Sequence, residues 1–591
     1  LAVFLPLIFV RGMAGIMFRQ LAYVIAFSLL CSLGTALTLV PMLAGRMLDP
    51  ASLETGKRGD LFQRLFRVSE SFFQRMETGY KGILHSALEH RILTTFLAIL
   101  VLGGSLLLVP LVGTELMPEA DEGEVRVNAE MEVGTRLDVV DEKVQILESI
   151  VRKAVPEIKS LVSSAGGSHW RGRASHTGNL RISLVPRSER KRSSEEIAGI
   201  LRGMLSDIPG MTVRVRTSSG LFIFRRMAGN SDKVQVEIRG YDLETADALA
   251  HQVQRIVESV DGVTDAEVSR DSGTPEESII VDRRKAADMK LTVRQIAETL
   301  QTALSGTRAG DYREGGDEFR ILVQVKDARQ MELREILDLT LANADGEPVV
   351  LRNVVSVRSR RGPVSVERTD QERTIAVSAN VSGRDTGSVI SDVREALRSV
   401  PVPRGFSIVF GGEYEEQQEA FRELLVGFIL ALILVYMVMA CQYESLRDPF
   451  VVMFSVPLAS MGVILMLFLT NTTVNIQSYI GCIMLGGIVV NNAILLVDTT
   501  NLLRRRDGME LGEAIEEAGR RRLRPILMTV LTTSLALSPL ALGMGEGGEA
   551  QAPMARVVIG GLISSTLTTL VFLPVVYSFF EGLRLMKRKA R

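Results

Sequence analysis

Long uncharged apolar runs alternate with charge-dense stretches along this chain. A helix needs about 20 apolar residues to cross a bilayer, and the runs are that long. Leu21–Gly45, Ile92–Thr114 and Leu424–Tyr443 carry no charge. Pro449–Val497 carries none either and holds two spans, broken at the polar tip Thr470-Asn471-Thr472-Thr473. Ile526–Gly545 and Val557–Phe580 complete seven full spans, and residues 1–10 read as the tail of one more.

The charges that flank the runs orient them. Arg504, Arg505, Arg506, Arg520, Arg521, Arg522 and Arg524 crowd one loop, the C-terminal tail is basic, and the loop from Arg46 to Arg91 is rich in Arg and Lys. By the positive-inside rule all three are cytoplasmic, which leaves residues 115–423 outside. Within the cytoplasmic loop, Phe62, Leu65, Phe66, Phe73, Met76, Tyr80, Leu84 and Leu88 recur at helical spacing, with Arg64, Arg67, Arg75 and Lys81 on the other face. That pattern fits a helix lying on an anionic leaflet or an amphipathic linker helix.

Residues 115–423 switch between strand and helix periods. Val125–Met131, helix Leu137–Ala154, Ile158–Ala165, Leu180–Val185, helix Ser194–Asp207 and Met211–Arg216 give β-α-β-β-α-β, a split βαβ module. A second begins Val234–Arg239, Leu243–Val260, Val263–Val268 and resumes at Thr374–Val381, Ser388–Val400, Phe406–Phe410. The interval, residues 276–361, has its own strands and a helix over Thr292–Ser305. The fold class expected is therefore an α-helical membrane bundle plus an α+β external domain of two ferredoxin-like modules, one carrying an inserted subdomain.

Composition sharpens this picture in three places. The chain has 591 residues, 46% of them hydrophobic and 23% charged, a combination that requires segregation of the two kinds. A net charge of −1 offers no field for nucleic acid. Cys31, Cys441 and Cys482 all lie in apolar runs, without metal spacing or a disulfide framework. The chain opens without methionine in an apolar run, so the expected start lies upstream.

Three places carry candidate chemistry. Asn491 and Asn492 sit inside the apolar run Ser478–Asp498, beside the pair Gly486 and Gly487. Amides at membrane depth face other helices or a wet cavity, so the pair is a polar relay or a bond between helices; the glycines admit a close neighbour. Arg522, Arg524 and Thr529 open the next span around Pro525, which suits a first helical turn; the plainer reading has the arginines snorkelling and the threonine bonding its own backbone. The loop 166–179 holds Gly167, His169, Trp170, Gly172 and His176 with Arg171 and Arg173. It is either a gate on a substrate path or an ordinary solvated loop, and its histidines make a poor metal site. No nucleophile, phosphate-loop or zinc motif occurs in a fitting context, so an enzyme is not expected.

These stretches resemble a known family. The segment GGIVVNNAILLVD is similar to the tenth membrane helix of resistance-nodulation-division (RND) efflux pumps, RRRLRPILMT to the start of the eleventh, MPEADEGEV to the opening of their porter domain and VPMLAGRML to the end of their sixth span. The resemblance runs the whole length and implies the C-terminal part of a pump of the hydrophobe/amphiphile branch. Residues 1–45 would be the end of the fifth span and the sixth, 46–91 a cytoplasmic loop and 92–114 a further span. Residues 115–220 would be the first porter module, 221–275 and 362–423 the second, 276–361 a docking (funnel) subdomain and 424–591 five spans with a basic tail. It implies a homotrimer in the inner membrane with a periplasmic adaptor and an outer-membrane channel, exporting drugs, detergents, dyes or lipids on the proton gradient without a cofactor. Asn491, Asn492, Arg522 and Thr529 would form the proton relay, and the loop with Trp170 the switch between pockets. Many such pumps have lysine where this chain has Asn491, and the carboxylates that would pair with it lie outside this chain. Export of heavy metals such as copper or silver, or a non-pumping membrane scaffold or lipid-binding module, are the alternatives; Met131, Met204, Met211 and Met227 form no evident soft-ligand trio.

Overall fold

The computed structural model describes residues 4–5, 8, 12–47, 60–118, 121–166, 176–206, 208–217, 233–269, 274–327, 331–362, 366–545 and 547–589. The described residues include seven helices long and apolar enough to cross a membrane. Helices α1 (Gly12–Leu37) and α2 (Leu39–Met47) make the first, and α4 (Arg91–Leu106) follows the loop helix α3 (Asp60–Glu89).

The first extramembrane module comprises β1 (Glu124–Met131), α5 (Leu137–Ala154), β2 (Ile158–Ala165), β3 (Thr177–Leu184), α6 (Ser194–Leu205) and β4 (Met211–Thr217). Its sheet runs β2-β3-β1-β4. In β1, buried Val125, Val127 and Ala129 alternate with Arg126 and Asn128, as a strand with one covered face must. Val140, Val144, Leu147 and Val151 recur at helical spacing and form the buried stripe of α5. Ser193 and Glu196 cap α6 reciprocally, which fixes its start.

The second module comprises β5 (Val234–Gly240), α7 (Leu243–Glu258) and β6 (Val263–Val268), completed far along the chain by the short β13 (Arg368–Thr369), β14 (Glu372–Val381), α11 (Thr386–Leu397) and β15 (Phe406–Gly411). Strand β14 is central, pairing antiparallel with β5 and β6, while β15 adds to β5.

A separate compact unit is formed by residues 131–137 and 270–366. It contains β7 (Thr274–Val281), α8 (Arg283–Asp288), α9 (Val293–Leu304), β8 (Thr307–Glu314), β9 (Asp317–Val323), α10 (Leu333–Leu337), β10 (Thr340–Ala342), β11 (Pro348–Val350) and β12 (Val355–Gly362). Ala286, Leu291, Ile296, Leu341, Leu351 and Val354 are its core.

The remaining membrane helices are α12 (Glu413–Tyr443), α13 (Arg447–Met453) with α14 (Ser455–Leu469), α15 (Ile476–Arg506), α16 (Leu511–Ala541) and α17 (Gly548–Lys589). The run Ser478–Asp498 lies in α15, mid-bundle, yet α17 is enclosed along more of its length. Small residues bring α14 against α17: a Cβ on Gly462 would stand 2.1 Å from the Gly560 carbonyl oxygen. Of the glycine pair of α15, Gly486 is not itself at a close approach. A Cβ on Gly486 would meet Phe428 at an ordinary 3.5 Å, whereas one on Gly481 would stand 2.9 Å from the Met554 carbonyl oxygen. Gly481, a turn and a half before the pair, admits a close approach of α17.

One further expectation is corrected, and another gains a contact. Helix α16 begins at Leu511 rather than Ile526, so Pro525 lies in the helix interior and not its first turn. The charged segment before it is helical because Ala514, Ile515, Ala518 and Leu523 give it a buried stripe of its own. The second half of α3 packs on protein rather than on lipid alone. Tyr80, Leu84, Ala87 and Leu88 are buried, and the Tyr80 hydroxyl donates to the Leu570 carbonyl at 2.7 Å.

Candidate functional site

Helices α15 and α16 are joined by four residues, 507–510, and therefore run antiparallel side by side. The Asn475 side chain accepts from Ser478 N at 3.0 Å and fixes where α15 starts. The two helices are tied by one bond between side chains: the Arg522 Nε donates to the Thr499 hydroxyl oxygen at 2.8 Å. The Thr499 hydroxyl in turn donates to the Leu495 carbonyl at 2.7 Å, so its lone pair faces the guanidinium.

From this tie the register follows. Asn492 lies seven residues from Thr499 on one helix, and Thr529 seven from Arg522 on the other, about 10 Å in each case at 1.5 Å per residue. Antiparallel helices therefore bring Asn492 and Thr529 to the same depth. Asn492 is buried, while Asn491 and Asp498, one heptad apart, share an exposed stripe. The Thr529 hydroxyl donates to its own helix at the Ile526 carbonyl, 2.9 Å. Neither asparagine side chain has a hydrogen-bond partner among the described residues.

The structure thus joins Arg522 to Thr499, sets Asn492 and Thr529 level with each other, and leaves Asn491 on an open face. Arg524 belongs elsewhere: it pairs with Glu77 of α3 and lies over the Phe73 ring, 5.3 Å from the centroid. Thr499 and Asp498 escaped the sequence reading, although Asp498 follows Asn491 at the seven-residue spacing of one helix face. Gly167, His169, Trp170 and Gly172 lie outside the described residues. His176, which follows them, is buried with its Nε2 3.9 Å from Glu130.

The three cysteines sit on membrane helices. In the first module Met211 is packed inside and Met204 points outward from α6. Among the described residues no group of three His, Cys, Asp or Glu side chains stands close enough to hold a metal ion.

Seven apolar helices among the described residues, with two successive α+β modules ahead of the third span, define a multi-pass membrane protein with a large extramembrane insertion. The chain belongs to the AcrB/AcrD/AcrF family, whose model matches residues 1–581. It is 27% identical over 587 residues to the cobalt-zinc-cadmium resistance protein CzcA of Cupriavidus metallidurans, covering 97% of this chain and 54% of that protein. It is 28% identical over 589 residues to the multidrug resistance protein MdtC of Edwardsiella ictaluri, covering 99% and 56%. A crystal structure of a heavy metal efflux pump superposes with a TM-score of 0.79 at 25% identity, covering 98% of this chain and 57% of that one. The chain spans about half the length of the curated relatives it matches.

Proposed function

We propose that this chain is the C-terminal part of a proton-gradient-driven exporter in a bacterial inner membrane. One observation carries the reading: Arg522 is held on Thr499 between two membrane helices, level within one heptad of Asn492 and Thr529. A guanidinium stays charged at any physiological pH, so it cannot itself carry the proton. It serves instead as a fixed cation whose bond is remade when a nearby carboxylate gains or loses one. The open stripe of Asn491 and Asp498 is the face on which titrating carboxylates from other spans of the complete protein would act. The extramembrane modules would be ferredoxin-like porter subdomains, residues 276–361 the docking subdomain and the loop around Trp170 the switch. The complete pump would be a homotrimer working with a periplasmic adaptor and an outer-membrane channel.

The substrates proposed are amphiphilic: drugs, detergents, dyes or lipids. The separate placement of Met204 and Met211 supports this over soft-metal binding. A second reading, export of cobalt, zinc or cadmium, is favoured by the likeness to CzcA and to the heavy metal pump. Deleting the intact gene separates them. Hypersensitivity to dyes with unchanged metal tolerance supports the first reading, and the reverse pattern supports the second.

A further inference from the structure

Helix α15 is bonded to its neighbours on two opposite faces at nearly one level. Thr499 holds Arg522 of α16 on one face. Asn501 lies two residues on, about 200° around the helix, and faces the other way. Its Nδ2 donates to Asp448 Oδ2 of α13 at 3.4 Å, and its Oδ1 accepts from the Tyr577 hydroxyl of α17 at 2.6 Å. The Tyr577 oxygen accepts in turn from Arg504 Nη1 at 3.3 Å, and Arg504 pairs with Glu581 at 3.1 Å. Chemistry fixes the direction of this chain. A guanidinium has no acceptor, so Tyr577 accepts from Arg504 and gives its one proton to Asn501, which orients the amide. Tyr443 at the end of α12 ties a further helix to α15, donating to Ile494 O at 2.8 Å.

The network lies inside the bundle. Tyr577 and Glu581 are buried and Arg504 is mostly so, whereas Arg505 and Arg506, next in sequence, are exposed. Turning one arginine inward costs desolvation that an ion pair does not reliably offset, and a phenylalanine at 577 would fill the same apolar seam without that cost. What polar bonds add to packing is register, because each is made at one rotation and one height of the helix. The frame they refer to is α17, the most enclosed of the seven spans. Helix α17 is itself anchored a turn or two before Tyr577. Pro574 has no N–H to give the Leu570 carbonyl, and that carbonyl accepts from Tyr80 of α3.

Thr499 depends on that register. Its hydroxyl proton is committed to Leu495 O, so its lone pair points one way, and a small rotation of α15 takes it off Arg522. We propose that Asn501 and Tyr577 are positioning residues for the Arg522 site, setting the rotation and height at which α15 presents Thr499. The proposal rests on the proton reading above and extends it to the face of α15 turned away from Arg522.

The test is a double-mutant cycle in the full-length protein, read as gradient-driven dye accumulation in everted vesicles. Tyr577→Phe keeps the ring and removes the hydroxyl. It should lower the maximal rate about fivefold and leave the KM for dye unchanged. Thr499→Val alone should cost about tenfold. Tyr577→Phe combined with Thr499→Val should cost no more than Thr499→Val, because the second loss acts through the first. A double variant slowed about fiftyfold, the product of the two, would make the Tyr577 effect a general loosening and overturn the proposal. A wild-type rate in Tyr577→Phe overturns it as well. If Tyr577→Phe does not assemble, Asn501→Leu replaces it in the same cycle with the same expected outcomes. Failure of the proton reading has its own signature: full rates in both Thr499→Val and Arg522→Ala remove the site, and the proposal with it. Slow rates in those two variants beside a fast Tyr577→Phe remove the positioning role alone.

Discussion

At the scale of single residues, the proposed proton reading rests on the bond between Arg522 and Thr499. A hydrogen bond to a charged group contributes roughly 1.5–3 kcal/mol, so Thr499→Val in the complete protein should slow transport about tenfold, and Thr499→Ser should restore it. Wild-type rates in Thr499→Val, measured as dye uptake into everted vesicles, would reduce the contact to packing. Two carboxylates outside the membrane make opposite predictions. Burial holds Asp265 above the usual carboxylate range, against the pull of Arg202, Arg216 and Arg214. Its Oδ2 stands 3.9 Å from Arg202 Nε, beyond hydrogen-bond reach. Its stabilising contribution is complete when the carboxyl is protonated, below the ordinary range, and is lost as pH rises through the raised value. Asp265→Asn should therefore raise the melting temperature at neutral pH, by roughly 1 kcal/mol of stability, with the advantage fading in acid. Asparagine also accepts the left-handed backbone at this position, φ 55°. Burial alone would raise Asp121, but hydrogen bonds from Arg190, Ser194 and Gly123 hold it below the usual range. Its contribution is present above the ordinary carboxylate range and lost as pH falls, so Asp121→Asn should lose stability at neutral pH and converge with wild type in acid. A melting-temperature profile across pH for the two variants checks both signs.

At the scale of elements, the sequence was most legible where a period persisted. The β1 alternation and the α5 stripe predict their elements to within a residue or two, because one buried face imposes one period. The interrupted second module was legible for the same reason, although β5 and β14 pair across more than a hundred residues. What stayed hidden depends on partners. Nothing local in GRRRLRP says that helix α16 continues below Pro525; the stripe Ala514, Ile515, Ala518 matters only because α3 and α17 cover it. The expected leaflet helix shows the same limit, since amphipathicity does not distinguish lipid from a neighbouring helix. Thr499 was missed because a membrane threonine usually bonds its own backbone, as this one also does while accepting from Arg522. The docking of α3 is open to test. Tyr80→Phe leaves the Leu570 carbonyl without its donor and should cost about 1 kcal/mol, read as a lower melting temperature in detergent. Gly560→Leu forces α14 off α17, and overpacking of this kind costs about 1–3 kcal/mol or more. A melting temperature unchanged in both variants would contradict the packing described.

At the scale of the whole molecule, the bundle and the first and second modules share one compact unit, while residues 131–137 and 270–366 form another. In the proposed pump, work done at a membrane site must reach the extramembrane modules, and the shared unit supplies a continuous path: α12 leads directly out of β15 after a single residue, and the segment 113–115 binds both the α14–α15 loop and Asp385. Coupling of this kind makes a strong prediction about energy source. The decisive measurement is dye accumulation by the full-length protein in everted vesicles energised by a proton gradient, compared between wild type and Arg522→Ala of verified assembly. The account predicts export that stops when a protonophore collapses the gradient and that is abolished in Arg522→Ala. Export that survives either the collapse or the substitution would contradict it.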